Sequence, residues 1–323
     1  MSATSSARRW WACAALKTEC IDWLLQGDVA IQYQTHCDLL DTDRPDLRAR
    51  IAQEGWGKQL LDRRNPDGSW GLEFYRPKWT SSHYTLLSLK RLAIAPDQPA
   101  IRDSIGSILT DYKAMDGGIG CSRGARKSDV CVNGMVMNYA SYFGAPAEDL
   151  RSVVDFLLCE HMGDGGFNCQ SNRSGAHHSS LHSTLSVLEG IFEYARNGYL
   201  YRLDELQVAA RQSRAFILLH RFYKSDRSGD IIDKRFLSFP YPPHWYYNVL
   251  RALDHFRSAG APCDGRMRDA LEIISGKRGK NGLWRRDAAL PGQEFFVMEP
   301  PRGPSRWTTL MALRVLKAYG KTD

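Results

Sequence analysis

Asp67-Gly68-Ser69-Trp70-Gly71, Asp116-Gly117-Gly118-Ile119-Gly120 and Asp164-Gly165-Gly166-Phe167-Asn168 are three versions of one short loop. Their aspartates stand 49 and then 48 positions apart. Apolar residues at helical spacing flank each loop. Ile51, Trp56, Leu60 and Leu61 precede the first; Tyr84, Leu86, Leu87, Leu89 and Leu92 follow it. The second lies between patterns at 101–109 and 130–143, the third between 150–158 and 178–194. A helix–loop–helix unit of this length cannot bury its apolar face alone and must stack on its neighbours.

The pattern loosens outward. Residues 21–40 read as an incomplete first unit, broken at Gly27-Asp28. Later units place helices at 206–222, 245–256, 267–274 and 306–318, with a turn at Asn281-Gly282-Leu283-Trp284. Gly144, Gly198, Gly260 and Gly320 each follow a second helix, where a C-cap glycine belongs. No sustained alternation marks a strand, so the expected fold is all-α. The second helices are strongly apolar but open on polar groups: Thr80 to His83, Asp129 to Cys131, His177 to His182 and Pro243 to Tyr246. That combination predicts a closed ring of five to six hairpins with inner and outer helix layers. The inner N-termini then meet at one mouth of a central cavity, where helix dipoles favour anions.

The chain has 323 residues, a net charge of +7, 11% aromatics and nine Trp. Residues 1–15 read as a loose terminus and 16–320 as one domain. Basic and acidic residues are interspersed, and no nucleic-acid module is recognisable. No window approaches a membrane span. Eight Cys without a CxxC pair are too few for a disulfide scaffold, which places the chain in a reducing, cytoplasmic compartment.

This arrangement resembles the α/α toroid of squalene cyclases, terpene cyclases and the β subunits of protein prenyltransferases, over about residues 47–320. The stretch from Gly118 to Cys131 is similar to the prenyltransferase β-subunit motif, with Arg123 and Arg126 at its basic positions and Asp129 and Cys131 at its zinc positions. His182-Ser183-Thr184-Leu185 looks like the context of its histidine ligand. Val132 stands where that family has a tyrosine, and the acid motif of squalene-type cyclases is absent. The resemblance implies a Zn2+-dependent enzyme acting on an isoprenoid or other long apolar substrate in an aromatic-lined cavity, by prenyl transfer. Arg123 and Arg126 would hold an isoprenoid diphosphate. A terpene-cyclase-like reaction, other metal chemistry, or a binding module with a structural metal are the rival expectations. Nothing in one chain indicates a second subunit.

Read alone, Asp129 and Cys131 are an N-cap and a buried thiol. Taken with His182 they offer zinc an oxygen, a sulfur and a nitrogen, with a fourth position open. Cys169 follows its loop at the same offset as Cys121 and would close such a site if it joined. His178, four residues before His182, shares its helix face in this reading, as a ligand or a base. His83 and His244 are the remaining candidate proton carriers. Trp79, Tyr84, Trp245 and Tyr246 are core rings or a substrate wall that stabilises positive charge.

Overall fold

The computed structural model describes residues 18–320; residues 1–15, expected to be a loose terminus, lie outside them. Among the described residues there is no strand, and the protein is all-helical. The first helices are α1 (Thr18–Leu25), α2 (Val29–Leu39), α3 (Pro45–Arg50), α4 (Gly55–Leu61) and α5 (Ser82–Arg91). Then come α6 (Pro99–Asp111), α7 (Val130–Tyr142), α8 (Ala147–Cys159) and a single turn, α9 (Ser171–Ser174). The chain ends with α10 (Leu181–Arg196), α11 (Leu203–Leu219), α12 (Val249–Ser258), α13 (Arg268–Gly276) and α14 (Arg306–Tyr319).

The repeat is visible as one hydrogen-bonded clamp used four times. Trp70, Ile119, Phe167 and Trp284 each donate a backbone N–H to a side chain in the first turn of the next main helix. The acceptors are Ser82 (2.8 Å), Asn133 (2.7 Å), Thr184 (3.0 Å) and Thr309 (3.0 Å). The same side chains donate back to the carbonyls of the same four loop residues. Each clamp satisfies a buried backbone pair that would cost about 1–3 kcal/mol if left unpaired. Gly68, Gly117, Gly165 and Gly282, two residues before each anchor, all have φ between 81° and 93°. A side chain would be strained there, which explains the glycine in every copy. Trp70 and Trp284 also send Nε1–H to the carbonyls of Leu60 and Ile274.

Several boundaries differ from the periodicity. The first outer segment splits into α3 and α4. α10 starts at Leu181, so His178 lies ahead of the helix rather than on a face shared with His182. α12 starts at Val249, after the N-cap Asn248, leaving Trp245 and Tyr246 in the approach loop. Gly144, Gly198 and Gly260 are left-handed, as C-cap glycines are, whereas Gly320 is right-handed.

The helices fall into two kinds. α6 and α8 bury one face, whereas α7 is buried at nearly every position and α10 at about two thirds of them. α7 and α10 meet glycine to glycine. A Cβ on Gly134 would lie 2.7 Å from the backbone of Ser186 and Val187, and one on Gly190 would lie 2.3 Å from the Gly134 carbonyl. α5 packs on α7, α10 on α12, α12 on α14 and α14 on α2. Gln34 of α2 donates to the Arg91 carbonyl at the end of α5 (3.0 Å). Chain ends are tied by charge: Arg314 reaches Asp38 (2.9 Å) and Asp254, and Lys317 reaches Asp41 (2.6 Å).

Candidate functional site

The starts of α7 and α10 and the loop around α9 bring three thiols and a carboxylate together. Cys121 Sγ lies 3.5 Å from Asp129 Oδ2, and Arg173 Nε lies 2.8 Å from Asp129 Oδ1. Cys169 Sγ accepts from the Cys131 backbone N–H and from Ser183 Oγ, each at 3.2 Å. The neighbouring Cys131 thiol holds Cys169 below the ordinary thiol range, and Cys169 together with burial pushes Cys131 up. The Cys131 N–H belongs to the first turn of α7, so a helix N-terminus faces the Cys169 sulfur, the setting that favours thiolate. Cys121 is different: burial and then the Asp129 charge push it up to about 12.

An aromatic wall adjoins this cluster. Tyr75 is raised first by burial and then by the nearby charges of Cys131, Cys121 and Asp129, and its hydroxyl accepts from Tyr84 (2.9 Å). The ammonium of Lys78 lies 5.3, 5.6 and 5.8 Å from the ring centres of Tyr75, Trp79 and Trp245. Trp79 stacks on His244 with centres 3.9 Å apart. Backbone bonds join Lys78 and Trp79 to Gln293, so the 285–304 loop is laid across this end. Phe295, Phe296 and Met298 of that loop, with Trp79 and His244, leave a space of only about 40 Å³. Burial pushes His83 down to about 3 and His244 well below its usual value.

Residues from the later halves of α2, α5, α7 and α10, with others along α12 and α14, line a cavity of about 300 Å³. Its wall carries seven cationic and four carboxylate side chains together with the rings of Tyr33, Tyr142, Phe192, Tyr241 and Trp307. Arg251 grips Glu189 through two 2.7 Å bonds. Burial opposes ionisation of Glu189, but Arg251 holds it down at about 2.

Of the expected metal set, Asp129, Cys131 and Cys169 lie in the thiol cluster and His182 does not. His182 Nδ1 accepts the Tyr247 N–H (2.8 Å), and its ring is surrounded by Phe236, Trp245, Tyr246 and Tyr247. Burial lowers it to about 4. Among the described residues no group of three or more His, Cys, Asp or Glu is placed to hold a metal ion. The donor chemistry suits zinc, but the geometry does not: the imidazole is turned away and a guanidinium occupies Asp129. Arg123 is exposed and paired with Asp111 (2.8 Å), and Arg126 is exposed. His178 is exposed, with its carbonyl capped by Asn168.

Sequence reading passed over Ser183, Lys78, Tyr75 and Arg173, and the charged cavity altogether. The signal was present: Arg91, Arg251, Asp254 and Arg314 sit within apolar helices, where charges must find partners. No family model matches the chain, and comparison with curated proteins finds no significant relative.

Proposed function

We propose that the chain is a closed α/α toroid and an enzyme that transfers a prenyl or related allylic group at the end where its inner helices begin. Closure is supported by six helices lining one cavity and by the ties between α14 and α2 and between α2 and α5. The observation that carries the chemistry is the Cys169 sulfur, which accepts from the Cys131 N–H and the Ser183 hydroxyl beside Asp129 and an aromatic wall. Cys169, when deprotonated, takes a proton from an acceptor nucleophile. That nucleophile bonds to the allylic carbon as its C–O bond breaks and the electron pair leaves with diphosphate. Tyr75, Trp79 and Trp245 already surround an ammonium, so the same ring faces suit positive charge developing on the allylic carbon. Exposed Arg126 and Lys127 on the neighbouring loop supply cationic charge for the departing diphosphate. No step is assigned to a metal, because the donors do not converge on one. Seven free thiols among the described residues fit a reducing compartment. No helix there is long and apolar enough to cross a membrane.

The test is diphosphate release from a chain-length series of allylic diphosphates with a thiol acceptor, with zinc content measured on the same sample. Cys169→Ala is expected to lower the rate by roughly a hundredfold or more. Release no faster than in Cys169→Ala, with and without added zinc, would end this reading. The charged cavity favours a second one, a toroid that binds without chemistry; ligand uptake there in the absence of any release would select it.

A further inference from the structure

The cavity of about 300 Å³ is not accounted for by the rim chemistry, and its charges do not balance. Every carboxylate in its wall has a cation. Glu189 is held by Arg251, Glu193 by Lys90 at 2.6 Å, and Asp38 and Asp254 by Arg314 and Arg257. Two guanidiniums have no carboxylate. Arg48 bonds to the Ala93 carbonyl and the Tyr142 hydroxyl. Arg91 gives Nη2–H to the His244 carbonyl (2.7 Å), while its Nη1 is buried with no partner. Burial and then the Arg251 guanidinium push Arg91 down to about 10, so it remains charged at neutral pH.

Two further wall groups are orphaned. His255, 5% exposed, has no partner for Nε2, and Asn138, 2% exposed, has none for Oδ1. Unpaired buried polar atoms cost about 1–3 kcal/mol each unless a ligand or water meets them. The cavity reaches the surface near Arg196, whose side chain is 67% exposed at the end of α10.

We propose that this cavity is a binding site for a compact oxyanion that also carries an O–H group, a hydrogen phosphate or a hydroxycarboxylate. The wall groups left to meet it are Arg91 Nη1–H and His255 Nε2–H as donors and Asn138 Oδ1 as acceptor; each is shielded by neighbouring side chains, so binding turns them toward the open volume. The surplus positive charge of Arg91 and Arg48 balances it. The site is a separate space that adjoins the aromatic rim through Arg91, His244 and Tyr241, and it stands whether or not the rim transfers a prenyl group.

The test is calorimetric titration of the full chain with inorganic phosphate, citrate and sulfate, against chloride at matched ionic strength. Phosphate or citrate is expected to bind, with sulfate, which has no O–H at neutral pH, weaker. Arg91→Gln should weaken binding roughly tenfold or more, as loss of a charged hydrogen bond does. Should that variant fail to fold, Asn138→Asp, nearly isosteric, puts a carboxylate on the wall and should weaken binding by a similar factor. Wild-type protein that takes up phosphate and citrate no better than chloride overturns the site. So does unchanged affinity in a folded variant, and sulfate binding as tight as phosphate overturns the role of Asn138.

Discussion

The two ends of the central helices solve opposite problems. Where α5, α7, α10 and α12 begin, rings fill space: Trp79 lies flat on His244, and Phe295 and Phe296 close over them. Where the same helices finish, long charged side chains meet and leave about 300 Å³ open. Aromatic faces pack closely in stacked or edge-on pairs and exclude water. Guanidinium–carboxylate pairs need fixed geometry and cannot collapse into leftover space. The expectation of one aromatic-lined cavity meets a packed aromatic rim and an open chamber walled by ion pairs together with five rings. The reactive sulfur belongs to the rim, the free volume to the chamber.

The largest effect is expected in the chamber. Arg314→Ala leaves Asp38 and Asp254 as buried carboxylates short of a partner and unties α14 from α2 and α12. Burial opposes ionisation of Asp254, and Arg314 is the chief group holding it down. A loss of about 3–5 kcal/mol in urea unfolding is expected. A loss under about 1 kcal/mol would mean that the chamber's ion pairs behave as surface pairs.

Next in size is the wall shared by both ends. Gly134→Ala forces a methyl into the Ser186–Val187 backbone and should cost about 1–3 kcal/mol. The control is Gly106→Ala on α6, where a Cβ meets nothing within 4 Å and stability should hold or rise.

Acid loads both ends. His83 and His182 at the rim and His255 in the chamber have folded-state values near 3, 4 and 4. All lie below the unfolded value of about 6.5, so the unfolded chain takes up protons first. Stability is complete above about pH 6.5 and falls as pH drops toward 4; Glu189, held at about 2, extends the loss below pH 4.5. A thermal midpoint flat from pH 6.5 to 4 would contradict neutral buried imidazoles. His83→Gln and His255→Gln should each flatten part of the slope and so divide it between rim and chamber.

The smallest effect is the most local. Ser183→Ala removes one donor from Cys169, raising its thiol and slowing iodoacetamide alkylation at neutral pH by a few-fold, on the order of one hydrogen bond. Peptide mapping should show Cys169 modified before Cys121, whose thiol is pushed up. The reverse order would remove the thiolate from the rim.

What was legible in the chain was local. Helix type, the repeat and the loop glycines follow from 3.6-residue periodicity and from backbone angles that only glycine adopts without strain. Even Asn133 and Thr184, unremarkable in the sequence, are dictated by the need to pair a buried loop backbone. Adjacency across the repeats was not legible. Asp129, Cys131 and Cys169 come together because each follows a loop at the same end of its unit. His182 occupies the matching place, yet its ring turns to the Tyr247 N–H, a partner supplied by the irregular approach to α12. His178 fell away from the helix face because α10 opens three residues later than its periodicity suggested. The chamber was invisible because a charge inside an apolar helix does not say which partner it will meet. Only the packing of distant helices brings Arg314 to Asp38, and leaves Arg91 with none.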